Sequence, residues 1–213
     1  MRLETDPISD YCVAHSHNIP EYLVALERAT FQRTLSPQML CGALIGRLLS
    51  FISGLTRPAC IVEFGTFTGY SALCLAEGLS SDGILHTFES NDELLSTIEE
   101  FQKLSPYYNN IQTHIGLAES IFPHMNISPD LAFIDAGKTN YTVHYNLLMR
   151  KMKSGGMIIV DNVLWDGKVV LQADEADSDT LALQEFNQLV VNDSRCMPMM
   201  LPIRDGLTIL MIH

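Results

Sequence analysis

The 213-residue chain is short of charge, and of positive charge above all: 18% of its residues are Asp, Glu, Lys or Arg, with 13 basic against 25 acidic. A net charge of −12 repels phosphate backbones at long range, which disfavours nucleic acid as a partner. The deficit is uneven. Residues 1–58 hold five side chains of each sign, so the whole excess falls in residues 59–213. Cysteine is sparse and unpatterned. Cys12, Cys41, Cys60, Cys74 and Cys196 form no C-x-x-C pair, so neither a disulfide framework nor a zinc site is expected, and they read as reduced packing residues. No basic stretch leading into an apolar run opens the chain, and the longest apolar stretch, Met39 to Leu55, is interrupted by Arg47. We therefore expect a soluble, cytoplasmic protein without a membrane partner. Internal repeats are absent, and the one biased tract, Asp174 to Asp179, reads as a solvated loop.

What the chain does have is apolar material, at 47% of residues and a mean hydropathy of +0.13. That suits a single domain over residues 1–213, with a helical segment over 1–58 and an α/β core over 59–213. Pro20 to Arg33 and Pro37 to Leu55 read as helices, the second opened by Ser36-Pro37 and stopped at Gly54. From Ala59 the pattern alternates. Strands are expected at Ala59–Phe64, Ile84–Glu89, Ile111–Ile115, Leu131–Asp135 and Met157–Asp161. Helices fall between them at Tyr70–Leu79, Asp92–Leu104, Ala118–Met125 and Thr139–Lys153. Right-handed crossovers then give an α/β, doubly wound, Rossmann-like and mostly parallel sheet. A further helix, Asp179–Val191, precedes Met197–Ile203 and Leu207–Ile212, which only Arg204-Asp205-Gly206 separates. The sheet thus closes with an antiparallel hairpin. Such an ending resembles the class I methyltransferase fold more than a nicotinamide-binding one.

Ligands in open parallel sheets bind beyond the carboxyl ends of the strands. After the first strand comes Glu63-Phe64-Gly65-Thr66-Phe67-Thr68-Gly69-Tyr70-Ser71. Gly65 and Gly69 permit a tight turn, but Phe67 stands where a dinucleotide fingerprint has its second glycine, and the opening acid suits a cationic ligand group. Glu89 ends the second strand 24 residues past Gly65, near the spacing of about 20 at which an acid accepts from ribose hydroxyls. A helix cap is an equal reading of Glu89 alone. Gly116-Leu117-Ala118 could let an adenine lie against backbone. At the fourth and fifth ends stand Asp135 and Asp161-Asn162, three hard oxygen donors that suit Mg²⁺, Mn²⁺ or Ca²⁺ rather than zinc. Lys138 opens the next helix, where a cation opposes the macrodipole. Beside a metal it would suit a general base; without one it is a solvated lysine. His144 reads as a packing histidine.

The segments EFGTFTGYSALCLAEGL, HTFES, FIDAGKTNY and DNVLWDGKV together resemble the metal-dependent class I O-methyltransferases, the family of the caffeoyl-coenzyme A and catechol O-methyltransferases. The likeness implies S-adenosylmethionine as methyl donor, a divalent cation (Mg²⁺ first, Mn²⁺ or Ca²⁺ otherwise) and a small phenolic acceptor with vicinal hydroxyls. It implies that Glu63, Gly65, Thr66, Gly69, Tyr70 and Ser71 cradle the donor's methionine end, with Cys41 and Asp135 nearby, Glu89 on the ribose and Ala118 beside the adenine. Asp135, Asp161 and Asn162 would hold the metal, and Lys138 and Asp135 would be catalytic. Trp165 and Asp166, with Asp135 and Lys138, would face the acceptor. Cys41, Ile45 and Gly137 depart from what relatives carry. A homodimer is permitted by the apolar first helices. Other readings stay open at this point: methylation of a modified tRNA nucleoside, a coenzyme A ester acceptor, a nicotinamide-dependent oxidoreductase, or a non-catalytic nucleoside-binding protein.

Overall fold

A computed structural model describes residues 7–170, 172 and 177–213. Seven strands, β1 (Cys60–Phe64), β2 (Ile84–Glu89), β3 (Ile111–Ile115), β4 (Leu131–Ile134), β5 (Met157–Asp161), β6 (Cys196–Leu201) and β7 (Leu207–Ile212), form one sheet in the order β3-β2-β1-β4-β5-β7-β6. The first five are mutually parallel, while β7 runs antiparallel to both β5 and β6. The expected mostly parallel sheet with its terminal hairpin is what the chain builds. Central strands β1, β4 and β5 are almost wholly buried, as strands covered on both faces must be. Pro198, which has no ladder donor, sits on the edge strand β6, where that costs least.

Eight α-helices accompany the sheet among the described residues: α1 (Pro7–Ala14), α2 (Glu21–Arg33), α3 (Gly42–Thr56), α4 (Tyr70–Ala76), α5 (Leu95–Leu104), α6 (Ala118–Ile121), α7 (Tyr141–Met149) and α8 (Ser178–Asn192). Alternate strand residues feed two cores. Ile61 and Phe133 join Leu26, Ile45 and Leu73 on the face of α2 to α5, while Val62 and Ile134 join Tyr145, Leu183 and Phe186 on the face of α7 and α8. Strand order reverses between β1 and β4, which makes the crevice beyond their carboxyl ends the natural place for a ligand.

Several boundaries differ from the sequence reading. The helix expected over Pro37–Leu55 is two pieces: a 3-10 turn, Pro37–Met39, and α3, separated by an extended Leu40 and by Cys41, with α3 opening on Gly42 at φ +76. Gly54 does not stop α3; the helix runs to Thr56 and Arg57 takes the left-handed cap at φ +46. Arg47, the charge inside this apolar segment, is buried. Its guanidinium donates to Glu77 at 2.9 and 2.7 Å, so loss of either partner would strand a charge at a cost of about 3 to 5 kcal/mol. α1 has no counterpart in the sequence reading.

The helix expected over Thr139–Lys153 is shorter as well: a 3-10 turn, Lys138–Asn140, leads into the nine residues of α7. Beyond its end Lys151 turns back to donate to the carbonyls of Phe122 and Pro123 at 3.0 Å and to that of Met125, satisfying groups left bare where α6 and its following turn end. Lys153 pairs with Asp130 at 2.5 Å. Residues 174–176 of the acidic tract lie outside the described residues; Asp177 caps α8 by accepting from Thr180 N–H at 3.0 Å.

Candidate active site

At the β1 tip the chain turns sharply because Gly65, at φ +100, has no side chain: a Cβ there would lie 1.9 Å from the Asp135 carbonyl oxygen. The turn after β1 and the turn after β4 therefore touch backbone to backbone. Gly69, at φ +94, then starts α4, whose first residues Tyr70 and Ser71 are buried.

Register places Glu63 level with Thr87 of β2. The Thr87 hydroxyl donates to Glu63 Oε2 at 2.5 Å, and Thr66 and Thr87 share a further hydroxyl contact at 2.5 Å. Burial pushes the Glu63 carboxyl up to about 8, only partly opposed by the Ser71 and Thr87 hydroxyls. Its second oxygen, Oε1, is buried without a hydrogen-bond partner among the described residues. A fully buried carboxylate oxygen in that state fits a positively charged donor group arriving from the crevice.

Glu89 is held by backbone. Phe67 N–H donates to one carboxylate oxygen at 2.7 Å and Asn91 N–H to the other at 2.8 Å. The capping role that Glu89 alone might have filled goes to Asn91, whose side chain accepts from Glu93 N–H at 3.1 Å. Phe67, at φ +50, is where the chain bends to reach Glu89. Ala118 starts α6, buried, two residues after Gly116 at φ +134.

On the other side of the crevice one ammonium gathers the remaining polar residues. Lys138 Nζ donates to Asn162 Oδ1 at 2.5 Å, to the Tyr141 hydroxyl at 2.6 Å and to Asp135 Oδ1 at 3.2 Å, which uses all three of its donors. Asp161 joins through Asn162, whose N–H it accepts at 2.8 Å, and through its carbonyl, which accepts from Tyr141 at 2.9 Å. Burial and then the Asp135 charge raise the Asp161 carboxyl to about 7, despite Arg204 and Lys138. The structure thus brings together Asp135, Lys138, Asp161 and Asn162. No three His, Cys, Asp or Glu side chains converge among the described residues, so a cation here would need the Asn162 amide as its third protein ligand. Two carboxylates, one buried and one partly so, in an all-oxygen set with one compensating lysine fit a hard divalent ion.

Trp165 lies 5.8 Å from the Lys138 ammonium and 5.9 Å from that of Lys168. Trp165 and the exposed Asp166 both have positive φ, and this turn is tied to the β6–β7 turn. Val163 N–H donates to the Gly206 carbonyl at 3.2 Å, Leu164 N–H to the Asp205 carbonyl at 2.9 Å, and Asp166 N–H to the Asp205 carboxylate. Cys41 is buried before α3, its thiol pushed up by burial, with Asp135, Asp161 and Arg204 among the charges it feels. His144 is a buried packing residue bonded to Glu119 at 2.8 Å. Sequence reasoning missed Tyr141 and Asp205. Tyr141 was within reach, three positions after Lys138 and so on the same helical face; Asp205 carried no signal beyond its turn.

Against known proteins, the family model described as O-methyltransferase matches residues 13–212. The caffeoyl-CoA O-methyltransferase of Stellaria longipes is 30% identical over 198 residues, 88% of this chain and 82% of that protein. The tapetum-specific methyltransferase 1 of Arabidopsis thaliana is 32% identical over 200 residues, 89% and 85% of the two chains. Among solved structures, the O-methyltransferase TomG from Streptomyces achromogenes, in complex with SAM, superposes with a TM-score of 0.90 at 23% identity, covering 97% of this chain and 96% of that one. That last likeness speaks to the fold.

Proposed function

The chain belongs to the O-methyltransferase family, and from that premise we propose that it methylates one hydroxyl of a vicinal diol on a small phenolic acceptor, using S-adenosylmethionine and a divalent cation. The observation that carries the reading is the meeting of Asp135, Asp161 and Asn162 around the Lys138 ammonium at the strand-order reversal. S-adenosylmethionine supplies the methyl group, its C–S bond breaking as the new O–C bond forms. Asp135, Asp161 and Asn162 would hold a divalent cation, which would supply charge to make the diol more acidic and to fix its orientation.

The chain's own residues do the rest. Glu63 offers its unpartnered oxygen to the donor's α-ammonium, with Gly65, Thr66, Gly69, Tyr70 and Ser71 lining that end. Glu89, preset by two backbone N–H groups, accepts from the ribose hydroxyls, and Ala118 borders the adenine. Lys138 Nζ would take the phenolic proton as a neutral amine, after releasing its own proton and its bonds to Asp135 and Asn162, the oxygens that a cation would take over. Tyr141, fixed by its own bond to the Asp161 carbonyl, holds that nitrogen in place. Trp165 and Asp166 face the acceptor ring. Of Arg150, Lys151 and Lys153, the close basic group a tRNA substrate would call on, the two lysines are already spent on backbone carbonyls and Asp130.

The test is transfer of labelled methyl from S-adenosylmethionine to a panel of catechols, with and without chelator. We expect EDTA to abolish turnover and Mg²⁺ or Mn²⁺ to restore it, as for any site built from oxygen donors. Full turnover in chelator removes the cation; transfer to single phenols but to no diol removes the acceptor class.

A further inference from the structure

Six non-glycine residues have positive φ among the described residues, and five of them, Phe67, Asn162, Trp165, Asp166 and Arg204, lie in the turns around the crevice. Left-handed backbone is costly for a residue with a side chain and persists where something else holds it. For four of the five that something is visible. Phe67 and Asp166 aim their N–H groups at carboxylates, Asn162 receives Lys138, and Trp165 lies between two lysines. Arg204 has no such account. It is the first central residue of a turn closed by Gly206 N–H to the Ile203 carbonyl at 2.9 Å, and at φ +50 its place is one that favours glycine. Its side chain is exposed, with no hydrogen bond or ion pair among the described residues.

An exposed arginine needs no partner in general, but the position of this one is fixed at both ends. Its turn is bonded to the Trp165–Asp166 segment through Asp205 and Gly206. Its guanidinium reaches across to the start of α3, with Nη1 3.1 Å from where a Cβ on Gly42 would lie. The neighbouring cations are engaged, Lys138 with Asp135 and Lys168 with Asp177, each at 3.2 Å. In a chain of net charge −12, a guanidinium held by strained backbone at the crevice rim, near enough to feel Asp161 and Asp205 yet hydrogen-bonded to neither, has its donors open to an incoming anion.

We propose that Arg204 is a specificity-determining residue that selects diol acceptors bearing a carboxylate, by the planar, charge-assisted pairing that a guanidinium makes with that group. The inference rests on the diol-methylation reading above. The probes are protocatechuate, its neutral carboxamide and its aminomethyl analogue, with Arg204→Gly, which suits the turn, and Arg204→Lys as variants. Trp165 is the chain's single tryptophan, so its fluorescence reports binding at the rim without turnover. We expect protocatechuate to bind better than the carboxamide with Mg²⁺ and S-adenosylhomocysteine present, and to react better with S-adenosylmethionine as donor, by roughly ten- to a hundredfold in each case, the worth of one charged hydrogen bond. Arg204→Gly should bring that ratio close to one and Arg204→Lys should keep part of it. A ratio that is the same in wild type and Arg204→Gly overturns the proposal while leaving diol methylation standing. Arg204-dependent binding of protocatechuate without methylation of any probe keeps the anion site and overturns the diol reading. Neither binding nor turnover overturns both.

Discussion

On the β1–β2 side of the crevice, Glu63 and Glu89 are fixed by hydroxyls and backbone N–H groups; on the β4–β5 side, Asp135 and Asn162 are gathered by one lysine side chain. Backbone donors come with the fold and lose no further freedom on holding a carboxylate. A lysine gives up rotamer freedom worth up to about 2 kcal/mol to do the same. The first half is accordingly complete before any ligand arrives, whereas the geometry of the second follows whichever cation stands among its oxygens. Binding and chemistry should therefore be separable by mutation.

The largest expected effect is at Lys138. Lys138→Met keeps the apolar stem and removes the proton acceptor, so the chemical step should slow by about 10²- to 10⁴-fold, with donor affinity by calorimetry little changed. Higher pH should partly rescue turnover, because hydroxide can then take the phenolic proton. A variant that melts lower yet turns over normally would make Lys138 a strut and dissolve the contrast. Glu89→Ala should act in the opposite sense. It leaves Phe67 and Asn91 N–H groups and the ribose hydroxyls without their acceptor, weakening donor binding by about 1 to 3 kcal/mol while the dependence on Mg²⁺ stays as it was. Unchanged donor affinity would take Glu89 out of the donor site.

The smallest effect sharpens the comparison within the first half. Glu63 holds its proton more tightly folded than unfolded, so stability falls as pH rises from about 4.5 to about 8 and levels off above that. Asp161 adds to the same slope, its carboxyl being raised to about 7. Glu63→Gln keeps an acceptor for Thr87 and removes one of the two titrations. Melting temperatures followed across that window should decline less steeply in the variant; an identical decline would place the titration elsewhere.

The sheet and its hairpin were legible in the sequence because each strand is a short apolar run ending in turn chemistry, and because Arg204-Asp205-Gly206 is too short for anything but an antiparallel return. Candidate polar residues at strand ends were equally legible, since topology alone brings the tips of β1, β4 and β5 together. Where the reading strayed, the cause was tertiary. Gly54 looked like a stop, but nothing lies within 4 Å of it and the helix passes through to Thr56, where Arg57 takes the left-handed cap instead. α7 ends early because Lys151 is drawn back to the carbonyls after α6, a contact across 26 to 29 positions that no local pattern encodes. Gly65 was read as a tight turn, and the tertiary reason for it was out of reach: the Asp135 carbonyl lies where a Cβ would stand, which joins the two halves of the crevice.

The bonds between the segment after β5 and the β6–β7 turn also constrain chain length. Three donors of the first, from Val163, Leu164 and Asp166, end on Asp205 or Gly206 of the second, and a Cβ on Gly206 would lie 2.4 Å from Leu164. The two turns are therefore templates for one another: an insertion in either would part the N–H groups of the first from their acceptors on the second. A graft that imports a new acceptor range will have to carry both turns as one cassette, although 36 residues of chain lie between Asp166-Gly167 and Arg204.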